Sequence, residues 1–121
     1  MSKKFQTKKD ALILSKAVRR AAEFLGVSKV TLGSILSIQT SQLESILKLG
    51  IDPKTEHGER SLILINVYTN LAALSGGDEM FISHFMQTDN RYFEDKPIDV
   101  IKTFEGLKRV NHYLIAMGSK H

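Results

Sequence analysis

Apolar residues recur at helical spacing along most of the chain, and Gly, Pro and capping residues divide the pattern into a series of helices. From Asp10 onward Leu14, Val18, Ala21 and Leu25 fall at i, i+4, i+7 and i+11, with Arg19, Arg20 and Glu23 on the other side. This predicts an amphipathic helix that Gly26 stops. Residues 1–9 lack such a period and read as a flexible basic arm. Ser28 is a good N-cap for a second helix, VTLGSIL, with Leu32, Ile35 and Leu36 facing inward. Ser37, Ile38 and Gln39 then make a turn, and Thr40 or Ser41 caps a third helix, SQLESILKL, that ends at Gly50. Ile38, Leu43 and Ile46 are expected to close a small core, whereas Leu47 is hard to bury alongside them.

The second and third helices have the layout of a helix-turn-helix, with the later one free to enter a DNA groove. Gly33 stands where the two must cross closely, which explains a residue that costs roughly 1 kcal/mol inside a helix. The outward positions of the candidate recognition helix are Ser41, Gln42, Glu44, Ser45 and Lys48. Gln42 alone among them can make a bidentate contact to adenine, no Arg is present, and Glu44 repels phosphate. Candidate DNA contacts are therefore Arg19, Arg20, Ser41, Gln42, Ser45 and Lys48.

Asp52-Pro53 reads either as an N-cap with Pro at the first helical position, or as a tight turn before a helix that begins near Gly58. A long helix follows, ERSLILINVYTNLAAL, ended by Gly76-Gly77. Leu64, Val67, Tyr68, Leu71 and Leu74 form one apolar face, and Leu62, Ile65 and Ala72 lie on a second. Such width predicts burial on two sides, and a homodimer supplies the second cover. Asp78 caps the next helix, where Phe81, Ile82, Phe85 and Met86 are expected in the core. The loop TDNRYFEDK comes next; Phe93 anchors it, and Tyr92 beside Arg91 has the composition of a protein-contact hot spot. Pro97 starts a short helix carrying Ile98, Val100 and Ile101. Thr103 caps the last helix, with Leu107, Val110, Leu114 and Met117 inward, Lys108, Arg109, Asn111 and His112 on the open side, and Gly118 at its end.

The chain has 121 residues, 42% hydrophobic and 25% charged, as in one ordinary helical domain or two small lobes sharing a core. Its net charge of +4 is uneven. Up to Lys29 there are eight basic residues against Asp10 and Glu23, so the front end is basic and the remainder slightly acidic. That asymmetry fits attraction to phosphate backbones, or equally a solvated, Lys-rich end that favours solubility. With no Cys there is no disulfide framework, thiolate zinc site or thiol nucleophile. The opening MSKKFQTKKDAL lacks an uninterrupted apolar stretch and no run reaches membrane-spanning length, so a cytoplasmic address is expected. His57, His84, His112 and His121 have no ligand partner at i, i+4, with His57 placed in a loop, and there is no phosphate-binding loop or nucleophile elbow. No catalytic residue, metal site or cofactor is predicted, and the protein reads as a non-enzyme.

The run from Gly58 to Leu114 resembles the C-terminal region of the Xre/MbcA/ParS-like antitoxins. The resemblance is carried by Leu64-Ile65 and Tyr68, the Gly76-Gly77-Asp78 break, Asn90-Arg91, Pro97-Ile98-Asp99 with Ile101, and Thr103 with Glu105-Gly106-Leu107. GVSKVTLGSILSIQTSQLESILKLG resembles the Xre-type helix-turn-helix of the same proteins. It departs from the family at Glu94-Asp95, where members often carry a Gly pair, and near Phe85, where they often carry a Trp. The resemblance implies an all-α fold: a basic arm over 1–9, a helix-turn-helix over 10–54, and a helical toxin-binding domain over 55–121. It further implies an antitoxin of a type II toxin-antitoxin pair that occludes the active site of a RES-type toxin, an enzyme that consumes NAD or attaches ADP-ribose, and that represses its own operator. The NAD belongs to the toxin. Asn90, Arg91, Tyr92, Lys108, Arg109, His112 and Lys120 are the expected toxin contacts. The alternative is a stand-alone helix-turn-helix transcriptional regulator.

Overall fold

Side-chain caps set the starts of four helices. Ser28 accepts from the Thr31 N–H, Thr55 from that of Gly58, Asp78 from those of Met80 and Phe81, and Thr103 from that of Gly106. The computed structural model describes residues 3–119, with side chains from residue 7. Its helices are α1 (Lys3–Leu25), α2 (Lys29–Leu36), α3 (Thr40–Leu49), α4 (Glu56–Ser75), α5 (Glu79–Gln87), α6 (Pro97–Val100) and α7 (Phe104–Gly118). The architecture is all-α as predicted; among the described residues the only β pairing is an isolated bridge between Asn90 and Asp95.

α1 begins at Lys3 rather than Asp10, so residues 3–9, read as part of an arm, continue the helix. Lys and Gln are strong helix formers and neither Gly nor Pro interrupts the stretch, so propensity extends the helix where no apolar period marks it. α3 starts without a side-chain cap at Gln39, where Thr40 or Ser41 is the predicted cap. The turn itself sets this start: Ser37 takes a left-handed conformation, and the Ile38 N–H returns to the Gly33 carbonyl at 2.8 Å. A Cβ on Gly33 would lie 2.7 Å from the Ile38 oxygen, so the close approach is to the turn backbone.

α4 is the spine, packing against α1 and α2 on one side and α5 and α7 on the other. One contiguous core therefore runs from Leu14, Val18 and Leu25 through Leu36, Leu43, Leu64 and Leu71 to Leu107, Val110 and Leu114. Between Asp52 and Thr55 the chain makes a tight turn, with the Lys54 N–H donating to the Asp52 carboxylate at 2.9 Å and the helix beginning just beyond. α4 and α7 start alike. Gly58 presses on the Asp52 carbonyl and Gly106 on the Val100 carbonyl, so closely that a Cβ at either position would collide with that oxygen.

Packing departs from the predicted stripes at six places. Leu47 is buried and Ile46 only partly so, because α3 turns its Leu43–Leu47 edge to α1 and α2. On α4, Leu62 is exposed while Ile65 and Ala72 are half-buried. Phe81 is exposed because only the Ile82–Met86 edge of α5 reaches the core. Met117 is exposed beside a depression between α5 and α7. Asn111, expected on the open side, is buried and accepts a hydrogen bond from the Asn70 carboxamide at 3.3 Å. His57 lies in the first turn of α4, not in a loop, with Nδ1 2.8 Å from the Leu36 carbonyl.

Candidate functional site

The loop between α5 and α6 is closed by its own backbone. The Asn90 N–H donates to the Asp95 carbonyl at 3.0 Å and the Glu94 N–H to the Asn90 carbonyl at 2.8 Å. The Asn90 carboxamide oxygen accepts from the Tyr92 N–H at 2.8 Å, so this side chain shapes the turn. Glu94 sits at φ 60°, the left-handed region. The result divides two adjacent aromatics: Phe93 is 6% exposed and Tyr92 is 63% exposed.

Both rings are pinned to α7. The Tyr113 ring centroid is 5.1 Å from that of Tyr92 and 5.1 Å from that of Phe93, and Phe85 of α5 stacks on its other side at 6.3 Å. The Arg109 guanidinium, one turn earlier on α7, lies 5.4 Å from the Phe93 ring centroid and 6.0 Å from that of Tyr92. Around this cluster the surface is hollow. A depression of about 410 Å³ is lined by Tyr92, His112, Tyr113, Ala116 and Met117. A smaller one, about 130 Å³, lies between α5 and α7 against Phe81, Phe85, Tyr113 and Met117. A third, about 620 Å³, opens on the α4 side against Ala73, Leu74, Ile115 and Ser119. Together they surround the last turns of α7 with apolar, partly exposed side chains and few charges.

Of the expected toxin contacts, Tyr92, Arg109 and His112 are brought to this one face, and Arg91 is exposed beside it in the loop. Lys108 is elsewhere, with its ammonium 4.3 Å from the Phe104 ring centroid and 2.9 Å from the Glu105 carboxylate. Arg60 lies over the same Phe104 ring at 4.4 Å. Lys120 is outside the described residues. Sequence reasoning missed Phe81, Ile115 and Met117 as exposed residues and did not single out the half-buried Tyr113, while Phe85, expected in the core, packs against it half-buried. The available signal was crowding: α7 carries more large apolar residues in its second half than one stripe accommodates.

At the other end of the molecule Ser41, Gln42, Ser45 and Lys48 are exposed along α3, and Arg20 is exposed on α1. Arg19 is engaged by Glu44 of α3 through two hydrogen bonds, 3.0 and 3.3 Å. Among the described residues no group of three His, Asp or Glu side chains is placed to hold a metal, and no helix is long and apolar enough to cross a membrane.

A helical support presenting an aromatic, apolar contact surface is the build of a protein-binding module. Residues 70–120 match the model of the family described as antitoxin Xre/MbcA/ParS C-terminal toxin-binding domain, and over that stretch the resemblance to these antitoxins is shown. The matched segment runs from the second half of α4 through α7, and so contains the whole Tyr92–Tyr113–Met117 face. No curated protein matches the chain.

Proposed function

We propose that the protein is the antitoxin of a type II toxin-antitoxin pair, and that the face around Tyr92, Tyr113 and Met117 seats on a RES-type toxin and obstructs its NAD site. The observation that carries this reading is the exposed aromatic and apolar surface at the end of α7, inside the segment that matches a toxin-binding domain. An inhibitor by occlusion needs a rigid support, a central anchor and a polar rim. Here the helices give the support, Tyr92 the anchor with Met117 as an adaptable neighbour, and Arg91, Arg109 and His112 the rim. The inhibitor itself performs no chemistry, and the pair acts in the cytoplasm.

A second copy of the chain is proposed to cover the α1–α4 side. Phe24 and Tyr68 stack there at 5.2 Å, and Phe24, Ile13 and Leu62 remain exposed. The α2–α3 unit is proposed to bind operator DNA through Ser41, Gln42, Ser45 and Lys48, with Arg19 and Arg20 toward the phosphates. Co-expression with the product of the adjacent reading frame tests the main reading: a stable complex and rescued growth are expected. If no complex forms but the chain still shifts its own promoter in a gel, a stand-alone regulator takes its place.

A further inference from the structure

Two cations from different helices converge on one carboxylate. The Arg19 guanidinium of α1 donates Nη1 to Glu44 Oε1 at 3.3 Å and Nη2 to Oε2 at 3.0 Å, while the Lys29 ammonium of α2 lies 3.3 Å from Oε1. All three side chains are substantially exposed. Hydrogen bonds from Arg19 first and Lys29 second hold the Glu44 carboxyl below its usual range. Lys29 opens α2, next to the Ser28 that caps it. A carboxylate and a phosphate diester offer the same paired acceptors to a guanidinium. Glu44 shares its helix with Ser41, Gln42, Ser45 and Lys48, so both cations stand beside the surface proposed to face DNA.

We infer that Arg19 and Lys29 form a site for a backbone phosphate of DNA, and that in the free protein Glu44 occupies it as an internal substitute for that phosphate. The inference rests on the operator-binding reading. Docking exchanges one anion for another: the phosphate takes the two cations and the Glu44 side chain swings aside into solvent. Because Glu44 competes for the same cations, it weakens binding to every sequence. That cost is common to all duplexes, so Glu44 lowers loose backbone binding in absolute terms and leaves the ratio between sequences to the other α3 contacts.

The test uses the full chain and a fluorescent duplex of mixed sequence about two helical turns long, titrated at several salt concentrations between roughly 50 and 200 mM. Glu44→Gln is expected to bind about tenfold tighter at the lowest salt, with a logarithmic salt slope steeper by about one. Adding Arg19→Gln is expected to remove that gain. Lys48→Gln serves as the separate check on the DNA reading and is expected to weaken binding with Glu44 intact. A single cooperative unfolding transition and an unchanged helical circular-dichroism signal in every variant exclude misfolding. If Lys48→Gln weakens binding but Glu44→Gln matches the parent protein or binds less tightly, the inference is overturned and the DNA reading stands. If neither the parent protein nor Glu44→Gln binds at the lowest salt, both fall.

Discussion

Tyr92 and Tyr113 meet with ring centroids 5.1 Å apart and planes inclined at 41°, one ring carried by the α5–α6 loop and the other by α7. Phe93 touches both, edge-on to Tyr92 and steeply inclined to Tyr113, each at 5.1 Å. Three rings thus fasten the loop to the helix, and their burial separates folding from contact.

Phe93 belongs to the folding side. Phe93→Ala is expected to cost about 3 kcal/mol or more in urea denaturation, the usual penalty for emptying a buried aromatic site. Tyr92→Ala, at a position largely in solvent, is expected to cost less than about 1 kcal/mol. Equal losses would contradict the division of the two rings.

Glu94 adopts φ 60°, a conformation that disfavours a residue bearing a Cβ. Glu94→Gly relieves that strain and is expected to raise stability by about 0.5–1 kcal/mol, the gain being reduced by the greater chain entropy of Gly. This is one of the places where the chain departs from the resemblance to the antitoxins, and a Gly there would suit the turn. A loss of stability in thermal unfolding would show that the Glu side chain holds the loop in some other way.

Gly106 has no room for a side chain against the Val100 carbonyl, whereas a Cβ on Gly118 meets nothing within 4 Å. Gly106→Ala is expected to destabilise by about 3 kcal/mol or to prevent folding, through backbone displacement at the start of α7. Gly118→Ala is expected to be neutral or slightly stabilising, because Ala is the better helix former. Denaturant midpoints of the two variants check the contrast.

Glu44 supplies a pH dependence whose sign is set by its partners. Its carboxyl titrates below the ordinary range because Arg19 and then Lys29 bond to the ionised form. The stabilisation is therefore present above the ordinary carboxylate range of the unfolded chain and is lost as pH falls through the lower folded-state value. The melting temperature of the parent protein should exceed that of Glu44→Gln near neutrality, and the gap should close as the solution is acidified below that value. A gap that widens in acid would contradict the assignment.

Much of this arrangement is legible in the residues. Leu14, Val18, Ala21 and Leu25 mark α1 at helical spacing, and Ser28, Asp78 and Thr103 cap the helices they precede. What escapes the pattern depends on neighbours. Leu47 and Ile46 are adjacent on α3, and only the direction from which α1 and α2 approach decides which is buried. Asn111 looks like a surface residue until Asn70 of α4 is placed opposite it to satisfy its oxygen. The exposed aromatic face is hardest to read, because it assembles the α5–α6 loop, α5 and the end of α7, and Phe81 and Met117 look like core residues in any single helix. The charges behave likewise: Glu44 reads as a phosphate-repelling residue alone and as a ligand of two cations once α1 and α2 stand beside it.

The proposed seat of the toxin is the Tyr92–Tyr113–Met117 face. Its most direct measurement is the equilibrium affinity of the full chain for the purified product of the adjacent reading frame, compared between the parent protein, a Tyr92→Ala/Met117→Ser variant and a Gln42→Ala/Lys48→Ala variant. Loss of a central anchor and its apolar neighbour predicts binding weakened about 100-fold, near 2.8 kcal/mol, in the first variant and unchanged binding in the second. Unchanged affinity in the first variant, with its fold intact, would contradict the account.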